Sequence, residues 1–218
     1  MNKTGSDTIK GRQRERSADR LEYFSDGYFS QRQWMSYAFQ VRTMYRLFGE
    51  SKAEVLEIGC GTGFVNAMLN SLGYDTETMD INSNLNPDHV GDISSQDIKL
   101  NKGFDAVLCA EVLEHLPFEC FDTCLKNIWE LTRRFAVITL PDCLYRVHVS
   151  LQVNSREYSW RLMKGLKCTY EMHCWEINSG RDTSEYEVSR HIRQHFSVLD
   201  EGLVKGNDFQ RFYILERK

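Results

Sequence analysis

An α/β chain built on a doubly wound, mostly parallel sheet is what three features of this sequence predict. Short apolar runs alternate with segments of helical period from residue 34 to residue 140, the pattern of β-α-β units. The first apolar run, Ala53–Ile58, is closed at once by Gly59-Cys60-Gly61-Thr62-Gly63, a turn that opens the next helix. Near the end, Phe196–Val204 and Phe209–Glu216 flank Lys205-Gly206-Asn207-Asp208, where Gly206-Asn207 is a turn signal, so an antiparallel hairpin should close the sheet.

Taken in order, residues 1–20 are polar, with no apolar stretch, and read as a mobile tail rather than a secretory signal. Residues 21–218 then read as a single domain. Trp34, Tyr37, Val41, Met44, Tyr45 and Phe48 recur at helical spacing, and Gly49 ends that helix. After the glycine-rich turn, a helix spans Phe64–Leu72 and stops at Gly73. Strands follow at Thr76–Asp80, around Val90 and at Phe104–Ala110. A helix over Phe118–Thr132 leads to a strand at Phe135–Leu140. Residues 142 to about 180 carry aromatic and basic residues without a clear period, and read as a lid or acceptor-binding insertion after the fifth strand.

Composition narrows the classes of function. No run of about 18 uncharged apolar residues occurs, so no membrane span is expected. The net charge of −4 offers no overall attraction to a phosphate backbone, which makes nucleic acid an unfavoured partner. Seven cysteines, an odd number with no C-x-x-C, point to reduced thiols and a cytoplasmic location rather than a disulfide framework. Cys120 and Cys124, one helical turn apart, are more simply packing residues than a metal pair.

The turn at residues 59–63 is a device for holding a polar ligand. Glycine lets the backbone approach closely, and a helix N-terminus offers unpaired N–H groups. A nicotinamide fingerprint would place another glycine where Phe64 and Val65 stand, which argues against a dehydrogenase. Glu57 lies two residues before Gly59, placed to attract an amino group. Asp80 ends the second strand, where an acid can accept hydrogen bonds from two ribose hydroxyls. Gly91-Asp92-Ile93 adds a carboxylate suited to an adenine amino group.

These segments, with Val55–Gly63, Met79-Asp80-Ile81 and Phe104–Pro117 in order, resemble the class I S-adenosylmethionine-dependent methyltransferases, in particular the small members carrying E-V-L-E-H-L after strand four. Met172–Ile177 is similar to an H-x-W-E-I segment in some of them. The resemblance covers about residues 50 to 142. It implies a Rossmann-like, seven-stranded sheet with an antiparallel last strand and helices on both faces. It also implies S-adenosylmethionine as cofactor, with S-adenosylhomocysteine as product. Gly59, Cys60, Gly61 and Gly63 would wrap the methionine portion, with Glu57 behind the turn. Asp80 would hold the ribose, Ile81 would pack on the adenine, and Asp92 with Ile93 would read its edge. Cys109, Ala110 and Glu111 would border the sulfonium.

A sulfonium is already a strong electrophile, so the protein's main task is to position the acceptor for in-line attack. A base helps when the acceptor is a hydroxyl, and histidine suits that work near neutral pH. His115, at the mouth of strand four, and His173 are the candidates, with Glu114 beside them; Pro117 allows a capping role for His115 instead. His173 and Glu176 can pair, and His148 ranks third, while His191 and His195 read as surface or capping residues of the helix before the hairpin. The lid aromatics Tyr145, Trp160, Tyr170 and Trp175 suggest a small-molecule acceptor with a planar or apolar part. Two other readings stay open. Glu111, Glu114, His115 and His173 resemble the metal set of small-RNA 2′-O-methyltransferases, although the downstream segments of that family are not recognisable. The chain could also be a non-catalytic, cofactor-binding partner subunit.

Overall fold

The computed structural model describes residues 15–96, 98, 100–154, 156–165, 170 and 172–218, with residues 20, 145–150, 152, 157 and 159–165 described by backbone alone. Seven strands form one sheet in the order β3-β2-β1-β4-β5-β9-β8. They are β1 (Glu54–Ile58), β2 (Asp75–Asp80), β3 (His89–Val90), β4 (Phe104–Ala110), β5 (Thr132–Pro141), β8 (Phe196–Val204) and β9 (Asn207–Arg217). The first five pair in parallel; β9 runs antiparallel to both β5 and β8. The chain winds outward from β1 to β3, then returns to β4 and builds the other half. That reversal leaves a crevice at the carboxyl ends of β1 and β4, where such sheets bind ligands.

Helices cover both faces. Helix α1 (Gln31–Phe48) starts where Ser30 Oγ accepts from the Gln33 amide and ends at Gly49, whose φ is +59°. With α2 (Phe64–Ser71) it packs Tyr37, Met44, Val65 and Leu69 on Val55, Ala106 and Leu108. Helices α3 (Phe121–Leu131) and α4 (Glu185–His195) cover the opposite face, burying Leu125, Ile128, Val188 and Ile192 against Leu56, Val107 and Ile138. Because both faces are covered, β1 buries four consecutive residues, Val55, Leu56, Glu57 and Ile58, instead of alternating. Ser184 caps α4, and its charges follow the helix dipole, with Glu185 and Glu187 first and Arg193 and His195 last.

Several boundaries differ from expectation. Helix α3 starts at Phe121 because residues 118–120 form a 3-10 turn behind Pro117, and β5 begins directly at Thr132. The hairpin loop is Lys205-Gly206, with Val204 facing Asn207 and Gly206 at φ +86°. The insertion is not aperiodic. Its first part is a long ribbon, β6 (Leu144–Val153) with β7 (Arg156–Gly165), which forms a two-stranded sheet of its own. Its last part returns to the body: Trp175 and Ile177 are buried in the α3/α4-side core, and Ile177 bridges Asp142. Residues 1–14 of the expected tail lie outside the described residues, yet Ala18 is buried and its carbonyl accepts from Asn82 Nδ2.

Candidate active site

A cavity of about 510 Å³ opens at the carboxyl ends of β1, β2 and β4. Its floor is the turn after β1, where Gly59, Gly61 and Gly63 all have positive φ (+83°, +46° and +75°). Gly59 has a second constraint: a Cβ there would lie 2.3 Å from Val112 Cγ2. Glu57, one step behind, is buried, and its Oε2 has no hydrogen-bond partner. Burial pushes its carboxyl up to about 8, with Asp80 adding repulsion and an Asn66 backbone contact opposing. Asp80 ends β2 and accepts from the amides of Cys60 (3.0 Å) and Asn82 (2.8 Å), which aims it at the turn. Burial raises its pKa while these donors hold it down. Ile81, Asp92 and Ile93 line the same end of the cavity.

The other end is built by the loop after β4. Ala110 and Glu111 line the cavity, Glu111 in the left-handed region at φ +55°. Glu114 is fully buried, and neither of its carboxyl oxygens has a hydrogen-bond partner. His115 and His173 stand against it, with ring nitrogens 4.0 and 3.9 Å from Glu114 Oε1 and ring centroids 5.0 Å apart. Burial lowers the His115 pKa to about 4, and His173 adds to that, so His115 is neutral near pH 7. Burial drives the Glu114 carboxyl well above the usual carboxylate range, and neighbouring Glu111 reinforces it.

Residues 28–120 match the family described as a methyltransferase domain. No curated protein sequence matches the chain. Among solved structures it is similar to magnesium protoporphyrin IX methyltransferase (ChlM) from Synechocystis PCC 6803 with bound S-adenosylmethionine, at TM-score 0.63 and 16% identity over 100% of both chains. It is similar to the glycopeptide N-methyltransferase MtfA complexed with S-adenosylmethionine, at TM-score 0.55 and 14% identity, covering 82% of this chain and 93% of that one. A third likeness, to an S-adenosylmethionine-dependent methyltransferase from Clostridium acetobutylicum ATCC 824, has TM-score 0.54 and 9% identity over 84% and 90% of the two chains. Residues 28–120 thus match a methyltransferase domain, and the fold is shared with S-adenosylmethionine-binding methyltransferases.

The lining of the cavity fits an S-adenosylmethionine cofactor. The crowded glycine at 59 leaves room only for backbone, and the unpaired Glu57 Oε2 lacks a donor that a cofactor amino group supplies. Of the residues the sequence singled out, Glu57, Gly59, Cys60, Gly61, Asp80, Ile81, Asp92, Ile93, Ala110, Glu111, Glu114, His115 and His173 all line one cavity. Two do not. Gly63 sits behind the wall as the N-cap of α2. Cys109 is fully buried in the α3/α4-side core, because its side chain points to the sheet face opposite Leu108. Trp175 is likewise core rather than acceptor wall: its Nε1 donates to the carbonyls of Leu113 and Leu116. Cys174 N also donates to Glu114 O at 2.7 Å, so segments 113–116 and 173–176 are zipped together. His191 pairs with Asp122 away from the site, and the side chains of Tyr145, His148 and Trp160 lie outside the described residues.

The His173–Glu176 pair that the sequence offered is formed: Glu176, 1% exposed, accepts from His173 Nδ1 at 2.8 Å. Two further contributors carried no sequence signal. A buried polar chain runs from Ser36 through Gln210 and Thr139 to Glu111 Oε1. The segment after residue 15 lines the cavity with Glu15, Tyr23 and Tyr28. Both depend on contacts remote in sequence, which no local pattern encodes. Of the metal set that the sequence offered as an alternative, Glu114, His115 and His173 offer ligand atoms within 4.8 Å of one another. Glu111, the fourth residue of that reading, is outside this group, its Oε1 accepting from Thr139 at 3.2 Å.

Proposed function

We propose that this methyltransferase acts on a small-molecule acceptor held between the cofactor end of the cavity and the Glu114–His115–His173 cluster. One observation carries the reading: a single cavity joins the glycine turn and Asp80 to that cluster. When bound, S-adenosylmethionine supplies an electrophilic sulfonium methyl group. Glu57 would accept from its α-amino group, Asp80 from the ribose hydroxyls and Asp92 from the adenine amino group. Glu176 fixes His173 as the Nδ1–H tautomer, which turns its basic Nε2 toward the cluster. His173 therefore receives the acceptor's proton. His115, whose pKa is depressed to about 4, is a weak base and orients the acceptor. A saturating dose of S-adenosylhomocysteine should raise the melting temperature, and Asp80→Ala should weaken its binding about 10- to 100-fold. No stabilisation of the native chain would sink this reading.

A second reading is favoured by the closeness of Glu114, His115 and His173: a divalent ion held there, orienting an acceptor hydroxyl. Oxygen and nitrogen donors suit such an ion, and Glu114 lacks a partner. Dialysis against a chelator followed by Mn²⁺ or Mg²⁺ tests it; unaltered activity and melting temperature would dismiss it. An RNA acceptor gains little from it, because the described wall carries carboxylates and no Lys or Arg to meet phosphates. No described helix is long and apolar enough to cross a membrane. The free thiols among the described cysteines support a reducing, cytoplasmic setting for the protein.

A further inference from the structure

Acids line the acceptor end of the cavity. Glu15, Glu111 and Glu114 line it, and none of the described lining residues is Lys or Arg. The neighbouring Arg16 guanidinium pairs at 3.4 Å with Asp92, at the cofactor end. Glu114 is 0% exposed, and neither carboxyl oxygen has a hydrogen-bond partner among the described residues. Such a group is costly unless the cavity's occupant brings a donor or a positive charge.

Glu15 reaches this place from outside the sheet. The Tyr23 hydroxyl donates to Glu15 Oε2 at 3.1 Å, while Glu15 Oε1 lies 3.8 Å from His115 Nδ1. Burial, with Glu15 adding to it, keeps the Tyr23 phenol neutral, so Tyr23 acts as a donor that orients the carboxylate. The rings of Tyr23 and Tyr28 have centroids 5.4 Å apart on the same wall. Carboxylates beside aromatic faces favour a cation over an anion or a neutral group.

We propose that the methyl acceptor is an amine that enters as a cation, its ammonium group recognised between Glu15 and Glu114 and its apolar body lying along Tyr23 and Tyr28; the nitrogen gives a proton to His173 Nε2 before its lone pair attacks the methyl group. This rests on the methyltransferase reading above and names its substrate class. Glu15 is then a specificity-determining residue, contributed by a segment that looks like a tail. Carboxylate and phosphate acceptors meet the Glu15 carboxyl there and no described Lys or Arg on the cavity wall.

The test uses the full chain saturated with S-adenosylhomocysteine in a chelating buffer, titrated calorimetrically with a graded panel of phenylalkylamines. The alcohol and carboxylate analogues of each member are titrated alongside. Amines should bind and carboxylates should not. Glu15→Gln should weaken the amines about tenfold while leaving the S-adenosylhomocysteine affinity unchanged, and Glu15→Asp should restore part of the loss. Carboxylates binding as tightly as amines, no amine binding, or unchanged amine affinity in Glu15→Gln would each overturn the proposal. So would Mn²⁺ alone binding to the native chain when no amine does, since the acids would then serve an ion. If S-adenosylhomocysteine itself fails to bind the native chain, the methyltransferase reading falls before any amine is added.

Discussion

Glu57 sits between two demands, and its titration exposes the conflict. Its ordinary pKa of 4.5 is raised to about 8 in the fold. Below pH 4.5 both folded and unfolded chains hold the proton, and nothing is lost. Between 4.5 and 8 only the folded chain holds it, so the unliganded protein loses stability as pH rises. The full loss, on the order of 5 kcal/mol, is reached above pH 8. Glu57→Gln should remove that decline in urea unfolding curves between pH 5 and 9, while weakening S-adenosylhomocysteine. An unchanged decline in the variant would assign it to other groups. At the acceptor end, His173→Ala and Glu176→Gln should lower turnover by about 10²- to 10⁴-fold with little change in cofactor affinity. His115→Ala should act mainly through acceptor binding. Full turnover in His173→Ala would remove it as the base. The residues at strand ends were legible because short spacings after β1, β2 and β4 imply fixed positions. Glu15 was not, since only the folded chain brings it to His115, whereas the His173–Glu176 pair follows from a spacing of three residues.

At the scale of elements, the turn after β1 and the loop after β4 lean on each other. Val112, from the second, occupies the space a side chain at position 59 would need. Gly59→Ala should therefore cost about 2–5 kcal/mol, from a left-handed backbone and an overpacked contact together. Denaturant midpoints measure this, and a loss below about 1 kcal/mol would contradict the crowding. The strands and helices of the main sheet were readable because burial on two faces leaves apolar runs and helical stripes. The ribbon β6–β7 was not: exposed Leu151, Val153 and Tyr158 mix with polar residues, so no face stands out in the sequence. Residues 174–177 were misjudged for the opposite reason. Their aromatic character looked like a binding wall, whereas two carbonyls in the 113–116 loop satisfy the Trp175 indole inside the core.

For the whole molecule, the ribbon's place outside the sheet makes it separable. Leu144 pairs with Gly165, which puts the ends of the ribbon next to each other, about 5 Å apart. Replacing residues 144–165 by a linker of about three residues should leave S-adenosylhomocysteine binding intact and shift the melting temperature by only about 4 °C. Loss of the cooperative transition would show that the ribbon supports the body. The insertion of β9 between β5 and β8 has a different consequence, one concerning synthesis. As the polypeptide leaves the ribosome, the parallel half can assemble with the edge of β5 open, and β8 emerges with no neighbour to pair with. Only when residues 207–217 appear does the final strand slide into the gap and seal both edges. Until then the nascent chain presents an unprotected edge, so this order of assembly makes the interval before residues 207–217 emerge the moment of greatest exposure to aggregation and to chaperones.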